Sequence, residues 1–133
     1  MRVTVIGCGR IGAFVARNLA SSGHEVCVID QDARSLRRLG EDFPGRTVLG
    51  TGFDESVLAE ARVGESDAVA VLTNLDATNF TVAQAVRDLF GVGRVAVRVN
   101  DPEFTDVFKE LGLHVIDVPS AVLEAVRGVF GGR

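Results

Sequence analysis

A chain of 133 residues has the length of one domain, and 47% apolar with 24% charged residues is ordinary for a protein folded in water. Its formal net charge of −4 argues against nucleic acid as the partner, because binding a phosphate backbone needs a basic face. No apolar run nears the roughly twenty residues that span a bilayer, and the first residues enter a strand with no room for a secretory leader. Two cysteines, Cys8 and Cys27, make no disulfide framework. They read as small, reduced filler, which fits a cytoplasmic chain.

The first element is an apolar strand, with Val3, Val5 and Ile6, that runs into Gly7-Cys8-Gly9-Arg10-Ile11-Gly12. This G-x-G-x-x-G turn opens a helix. Gly7 permits the tight turn, Gly9 lets backbone N–H groups approach a pyrophosphate, and Gly12 lets helix and strand pack closely. The helix N-terminus adds unpaired donors and partial positive charge, which favour a bound phosphate. A purely structural glycine turn is the alternative. The strand before it, the helix after it and the acid that ends the next strand favour nucleotide binding.

Ile11, Phe14, Val15 and Leu19 form the helix's apolar stripe, expected to lie on a sheet, and Ser21-Ser22-Gly23 stops it. Strand two, Glu25 to Ile29, ends at Asp30, about twenty residues beyond the glycine turn, where a ribose-binding acid belongs. Asp32 to Glu41 is polar with Leu36 and Leu39 inward and Asp32 as an N-cap, and Pro44-Gly45 breaks it. Thr47 to Leu49 is strand three, leading into Gly50-Thr51-Gly52-Phe53-Asp54. Asp54 caps a short helix through Ala61 with Val57 and Leu58 inward, completing one mononucleotide-binding half.

The second half repeats this order. Ala68 to Leu72 is a continuous apolar run, as for a strand covered on both faces, and Thr73 to Asn79 is its exit loop. A helix to about Phe90 follows, with Val82, Ala83, Val86, Leu89 and Phe90 inward. Arg94 to Val99 alternates as strand five. Asp101 and Pro102 start a helix carrying Phe104, Val107, Phe108 and Leu111 that stops at Gly112. His114 to Ile116 is strand six, Pro119-Ser120 opens a last helix to about Phe130, and Gly131-Gly132 ends it. The pattern predicts a single α/β domain, a Rossmann-like doubly wound parallel sheet of six strands in the order 3-2-1-4-5-6, with helices on both faces.

In such a sheet, ligands sit over the carboxyl ends of the strands at the switch point between strands one and four. Gly7 to Gly12 then face phosphates, and Asp30 accepts from ribose hydroxyls, its alternative being a capping acid for the next helix. Gln31, Gly52 and Phe53 border a base, and Thr73 and Asn74 face the phosphates from the other half. A carboxylate at Asp30 repels a 2′-phosphate and no arginine directly follows it, so NADP is disfavoured while NAD(H), ATP, ADP and AMP remain. Arg10 in the glycine turn suits a ligand with terminal phosphates, its alternative being a solvated surface arginine. His24 and His114 lie away from the strand ends that face a ligand and read as structural, and no metal-ligand spacing is present. The sequence holds no second domain to present a substrate to a nicotinamide, so binding without catalysis is expected. The alternative is the cofactor domain of an NAD-dependent oxidoreductase.

Taken together, these segments resemble the regulator of K⁺ conductance (RCK) N-lobe, also called the KTN or TrkA N-terminal domain. The resemblance rests on Val5 to Gly12, Gly23-His24-Glu25-Val26, Val28-Ile29-Asp30, Ser66 to Val69, Leu72-Thr73-Asn74, Asp76 to Asn79 and Ala96 to Phe104. It implies a cytoplasmic nucleotide-sensing subunit that gates a membrane K⁺ transporter or channel, dimerising and often forming rings of eight lobes. By position, Gly7, Cys8, Gly9, Arg10, Ile11 and Gly12 would hold phosphates and Asp30 the ribose, with Thr73 and Asn74 completing the pocket. The last helix, with Val122, Val126, Val129 and Phe130 in a stripe, would pack on a partner lobe. Its other reading is a helix that covers its own sheet. The family's Gly-Asp-Ala/Gly-Thr after strand three is here Gly50-Thr51-Gly52-Phe53, without the acid, and its Pro-Glu at the last helix is Pro119-Ser120, without the cation-ligating glutamate. A C-terminal lobe for a second effector is not among these residues.

Overall fold

A computed structural model describes residues 1–131 of the chain. In chain order the elements are β1 (Arg2–Ile6), α1 (Arg10–Ser21), β2 (Glu25–Asp30), α2 (Ala33–Leu36), β3 (Arg46–Leu49), α3 (Glu55–Glu60), β4 (Ala68–Val71), α4 (Asp76–Phe90), β5 (Val95–Val99), α5 (Thr105–Glu110), β6 (His114–Asp117) and α6 (Val118–Val129). Short 3-10 turns follow α2 and α3 and precede α5. Gly132 of the expected Gly131-Gly132 stop lies outside the described residues.

The six strands form one parallel sheet in the order β3-β2-β1-β4-β5-β6, as expected. β1 is central, with Val5 opposite Val28 of β2 on one side and Ala70 of β4 on the other. Chain order reverses there, so the loops after β1 and β4 diverge and leave a crevice over the carboxyl ends of these strands. Burying β1 on both faces explains its apolar composition, since Val3, Val5 and Ile6 are all covered.

Two apolar clusters flank the sheet. One joins Ile6, Ile29, Val69, Val71, Val97 and Val99 to Leu58 of α3, Val82 and Val86 of α4 and Phe108 of α5. The other joins Val3, Val5, Val26 and Val28 to Ala13 and Ala16 of α1 and to Leu39.

Several faces depart from the sequence reading. α1 approaches the sheet on small residues, burying Gly12, Ala13 and Ala16, whereas Phe14 of the expected stripe is 60% exposed and Ile11 38%. Close approach is the reason. A Cβ on Gly12 would lie 1.8 Å from the Gly7 carbonyl oxygen, so no larger residue fits at this contact. β4 is fully covered on one face and only partly on the other, where Ala70 packs against the cluster beneath α1. Val69 and Val71 are buried, but Ala68 and Ala70 are half-buried, and β5 alternates the same way with Ala96 and Arg98 on the open side. Ile116 of β6, paired with Arg98 and so on the same face, is exposed. In α4, Leu89 points to solvent, and of the stripe expected around α5 only Phe108 is buried while Phe104 and Val107 are exposed.

This partly open face exists because α6 does not fold back over it. Asp117 caps α6 by accepting from the Ser120 N–H, yet no residue of the helix is buried, and Val122, Leu123, Val126, Val129 and Phe130 are all exposed. In this structure α6 leaves its own sheet uncovered.

Candidate functional site

The crevice at the switch point is a cavity of about 650 Å³. Ten of the twelve residues selected from sequence line it: Gly7, Gly9, Arg10, Ile11, Asp30, Gln31, Gly52, Phe53, Thr73 and Asn74. Cys8 and Gly12 do not. Cys8 faces the core and is fully buried, and Gly12 lies under the glycine turn against the Gly7 carbonyl.

The glycine turn is built as the spacing demands. Gly7 takes φ +103°, a left-handed conformation that a side chain resists, and its α-carbon sits so near the β4 exit that a Cβ would be 3.0 Å from the Thr73 nitrogen. Gly9, by contrast, has nothing within 4 Å of an added Cβ, so its backbone is open to the cavity. Gly12 marks the helix–strand contact already described.

Asp30 locks this turn to the end of β2. Its Oδ2 accepts the Cys8 N–H at 2.7 Å and its Oδ1 accepts the Asp32 N–H at 2.8 Å. Each carboxylate oxygen keeps a further lone pair for a hydroxyl on the cavity side. The capping alternative falls to Asp32, which takes the Arg34 N–H at 2.8 Å as N-cap of α2. Burial, reinforced by the Asp30 charge, pushes the Cys8 thiol up to about 11 against the pull of Arg38 and Arg17, so it stays protonated at neutral pH.

Helix caps single out the same place. Asp32, Asp54 and Asp117 cap α2, α3 and α6 with their side chains, and Asp101 caps the turn leading into α5. α1, with Gly9 at its N-cap, and α4, with Leu75, have no side-chain cap, nor has α5, which continues the turn capped by Asp101. Gly9 and Leu75 are both cavity-lining residues. The first turns of α1 and α4 thus bring N–H groups without a side-chain acceptor to the cavity, where an anion can take them.

Of the cavity residues that the sequence reading did not select, three bear most on ligand binding. Arg38 and Ser35 reach in from the α2 side, with Arg38 Nη1 donating to Ser35 Oγ at 3.0 Å and to the Cys8 carbonyl at 3.3 Å. Arg98 enters from the end of β5. Asn79, a further residue that sequence did not single out as functional, holds this side together from beneath. Fully buried, it accepts from the Thr73 N–H at 3.1 Å and from the Thr73 hydroxyl, and donates to the Thr73 and Arg98 carbonyls, both at 2.9 Å. Outside the cavity, His24 meets the N-terminal amine at 3.1 Å and His114 is exposed on β6. Among the described residues, no helix is long and apolar enough to cross a membrane.

The lining thus carries Arg10, Arg38 and Arg98 against Asp30 and Asp32, a positive balance within a chain of net charge −4. It offers open backbone donors, a ribose-type acid and a flanking aromatic ring, Phe53, which is 57% exposed. That arrangement is complementary to a nucleotide.

Comparison with known proteins agrees. Residues 3–119 match the family model of the TrkA-N domain. The Trk system potassium uptake protein TrkA of Streptomyces coelicolor is 42% identical over 116 residues, which are 87% of this chain and 52% of that protein. The chain spans about half the length of such curated relatives. Among solved structures, the NAD(P)-binding domain of an exopolyphosphatase-related protein from Archaeoglobus fulgidus superposes with a TM-score of 0.82 at 26% identity, covering 98% of each chain. The GsuK RCK domain superposes at 0.73 with 25% identity, over 87% of this chain and 24% of that one. The chain belongs to the TrkA-N domain family.

Proposed function

We propose that this chain is the nucleotide-binding part of a regulatory subunit for K⁺ transport, which binds NAD(H) or ATP, ADP or AMP in the crevice and transmits the bound state to a membrane partner. One observation carries the reading: the open glycine turn, the Asp30 carboxylate and the N-termini of α1 and α4, both without side-chain caps, converge on one positively lined cavity. Family membership supports the K⁺ assignment, and GsuK, whose RCK domain this chain resembles, has been solved with ADP and with NAD. The role is regulatory rather than catalytic, at the cytoplasmic face of the membrane, and NADP stays disfavoured by Asp30.

The output surface is α6 together with the open face of β4, β5 and β6. A second copy of the chain fits both. The exposed stripe of Val122, Leu123, Val126, Val129 and Phe130 needs an apolar surface, and the face bearing Ala96 and Ile116 is left partly open. Such homodimers assemble further into rings, up to eight lobes, against a K⁺ transporter or channel.

A thermal-shift panel with NAD⁺, NADH, NADPH, ATP, ADP and AMP tests the reading, with an extrinsic dye because the chain has no Trp or Tyr. A ligand at about a hundred times its Kd stabilises by about 2.7 kcal/mol, on the order of 10 °C for a domain of this size. Adenine nucleotides should give that shift, Asp30→Ala should abolish it, and Arg10→Ala should weaken ATP more than AMP. No shift with any of the six rejects nucleotide binding. Hydride exchange from NADH to a carbonyl panel would favour the oxidoreductase instead.

A further inference from the structure

The three arginines at the cavity are held in three different ways. Arg10 is exposed at the start of α1, and Arg38 is tied to Ser35 and the Cys8 carbonyl at the Asp30 end. Arg98 lies at the opposite end, half-buried on the open face of β5. Its Nε donates to Asn100 Oδ1 at 2.7 Å and its Nη1 to the Leu72 carbonyl at 3.4 Å. Neither acceptor is ionised, and among the described residues Arg98 forms no ion pair.

A relay behind Arg98 fixes its direction. Asp76 Oδ1 accepts the Asn100 backbone N–H at 2.7 Å and its Nδ2 at 3.0 Å, while Oδ2 accepts the Asp101 N–H at 2.9 Å. An ionised carboxylate only accepts, so the amide nitrogen of Asn100 faces Asp76 and its oxygen faces Arg98. Asn79 holds the Arg98 carbonyl from below. A guanidinium positioned this firmly, with no counter-charge, faces a ligand site rather than bracing a salt bridge.

We propose that Arg98 reads the charge of a nucleotide beyond its α-phosphate, binding the β- and γ-phosphates of ADP and ATP, with Asn100 and Asp76 as positioning residues. The proposal rests on the nucleotide-binding reading above. In a doubly wound sheet the adenosine lies toward β2 and β3, where Asp30 and Gln31 are, and the chain of phosphates crosses the glycine turn toward β4 and β5. Arg98 stands at that far end, beside Thr73 and Asn74. AMP ends before reaching it, so its binding is indifferent to Arg98. Polyphosphates gain a charge-assisted, bidentate contact there.

Isothermal titration of AMP, ADP and magnesium-free ATP into the wild-type chain, Arg98→Gln, Arg98→Lys and Asn100→Ala decides the matter. Arg98→Gln should raise the Kd of ATP and ADP at least tenfold and leave AMP within twofold. Arg98→Lys, which keeps the charge without the fork, should fall between. Asn100→Ala, which keeps the guanidinium but frees it, should weaken ATP about threefold and leave AMP unchanged. Equal loss of all three nucleotides in a folded Arg98→Gln protein, or no loss of any, overturns the proposal while nucleotide binding stands. A wild-type chain that binds none of them overturns both.

Discussion

Asn79 is where a single substitution should cost this domain most per atom removed. Its amide serves four partners at once, and three are backbone groups: the Thr73 N–H, the Thr73 carbonyl and the Arg98 carbonyl. Asn79→Leu keeps the number and branching of the side-chain heavy atoms, adds bulk in place of the amide, and removes all four bonds. The residue is fully buried, so water cannot replace them. A stranded buried polar group costs about 1–3 kcal/mol, and partial relaxation of this loop brings the sum to about 3 kcal/mol. With an unfolding entropy of about 2.1 cal/mol/K per residue, the whole chain has about 280 cal/mol/K, so the midpoint should fall by about 11 °C. Thermal unfolding followed by far-ultraviolet circular dichroism measures this directly. Asn79→Asp retains the shape but turns an acceptor toward two carbonyls, so it should fall at least as far at neutral pH. A Leu variant within about 2 °C of wild type, roughly 0.5 kcal/mol, would refute the assignment of Asn79 as the tie between β4 and β5.

Two further outcomes follow from other elements. If a second copy covers α6, Val126→Asp should raise the dimer Kd by about a hundredfold while leaving the monomer's melting curve intact, because Val126 is exposed within one chain; sedimentation that shows the wild type as a monomer at all concentrations would remove the dimer. Hydrogen bonds from capped N–H groups hold Asp32 and Asp117 below the ordinary carboxyl value of 3.8, and the Ser56 hydroxyl, followed by the Ser56 N–H, does the same for Asp54. Their folded-state values being depressed, the stability they give is complete above the unfolded value and lost as pH falls through the folded one. Asp54→Asn, which can still accept from the Ser56 N–H, should therefore flatten the decline of stability below about pH 4, and an unchanged acid limb would show that the Asp54 charge adds nothing.

The glycine turn and Asp30 were legible because the chemistry is local. Six residues determine the turn, and the acid is placed by the length of one helix and one strand. Strand order followed from the alternation of apolar runs and helices. What escaped is set by distance. Arg38, Arg98 and Asn79 are ordinary polar residues in sequence, and each acquires its part only when another element arrives: Arg38 at the Cys8 carbonyl, Arg98 at the Leu72 carbonyl, Asn79 between Thr73 and Arg98. The α1 face was misread for a related reason. Periodicity weighs large apolar residues, but the contact forced by Gly12 buries Ala13 and Ala16, so Val15 and Leu19 of the expected stripe pack against the core only in part and Phe14 and Ile11 turn outward. One signal was available. An arginine in the alternation of Val95, Val97 and Val99 already implies that one side of β5 meets something other than a helix.

That open side connects the two surfaces. Arg98 projects from the same face of β5 as Ala96, and Ile116 of β6 lies beside it. A partner covering Ala96 and Ile116 would therefore sit next to the guanidinium at the mouth of the cavity. Binding a polyphosphate at Arg98 changes the charge at the edge of that surface from positive to negative. A partner surface that favours one sign over the other would then dock differently on the two states, and a differential contact of this kind is what a ligand needs to shift an assembly. If a partner docks there, site and interface need no long relay between them, because β5 would carry both.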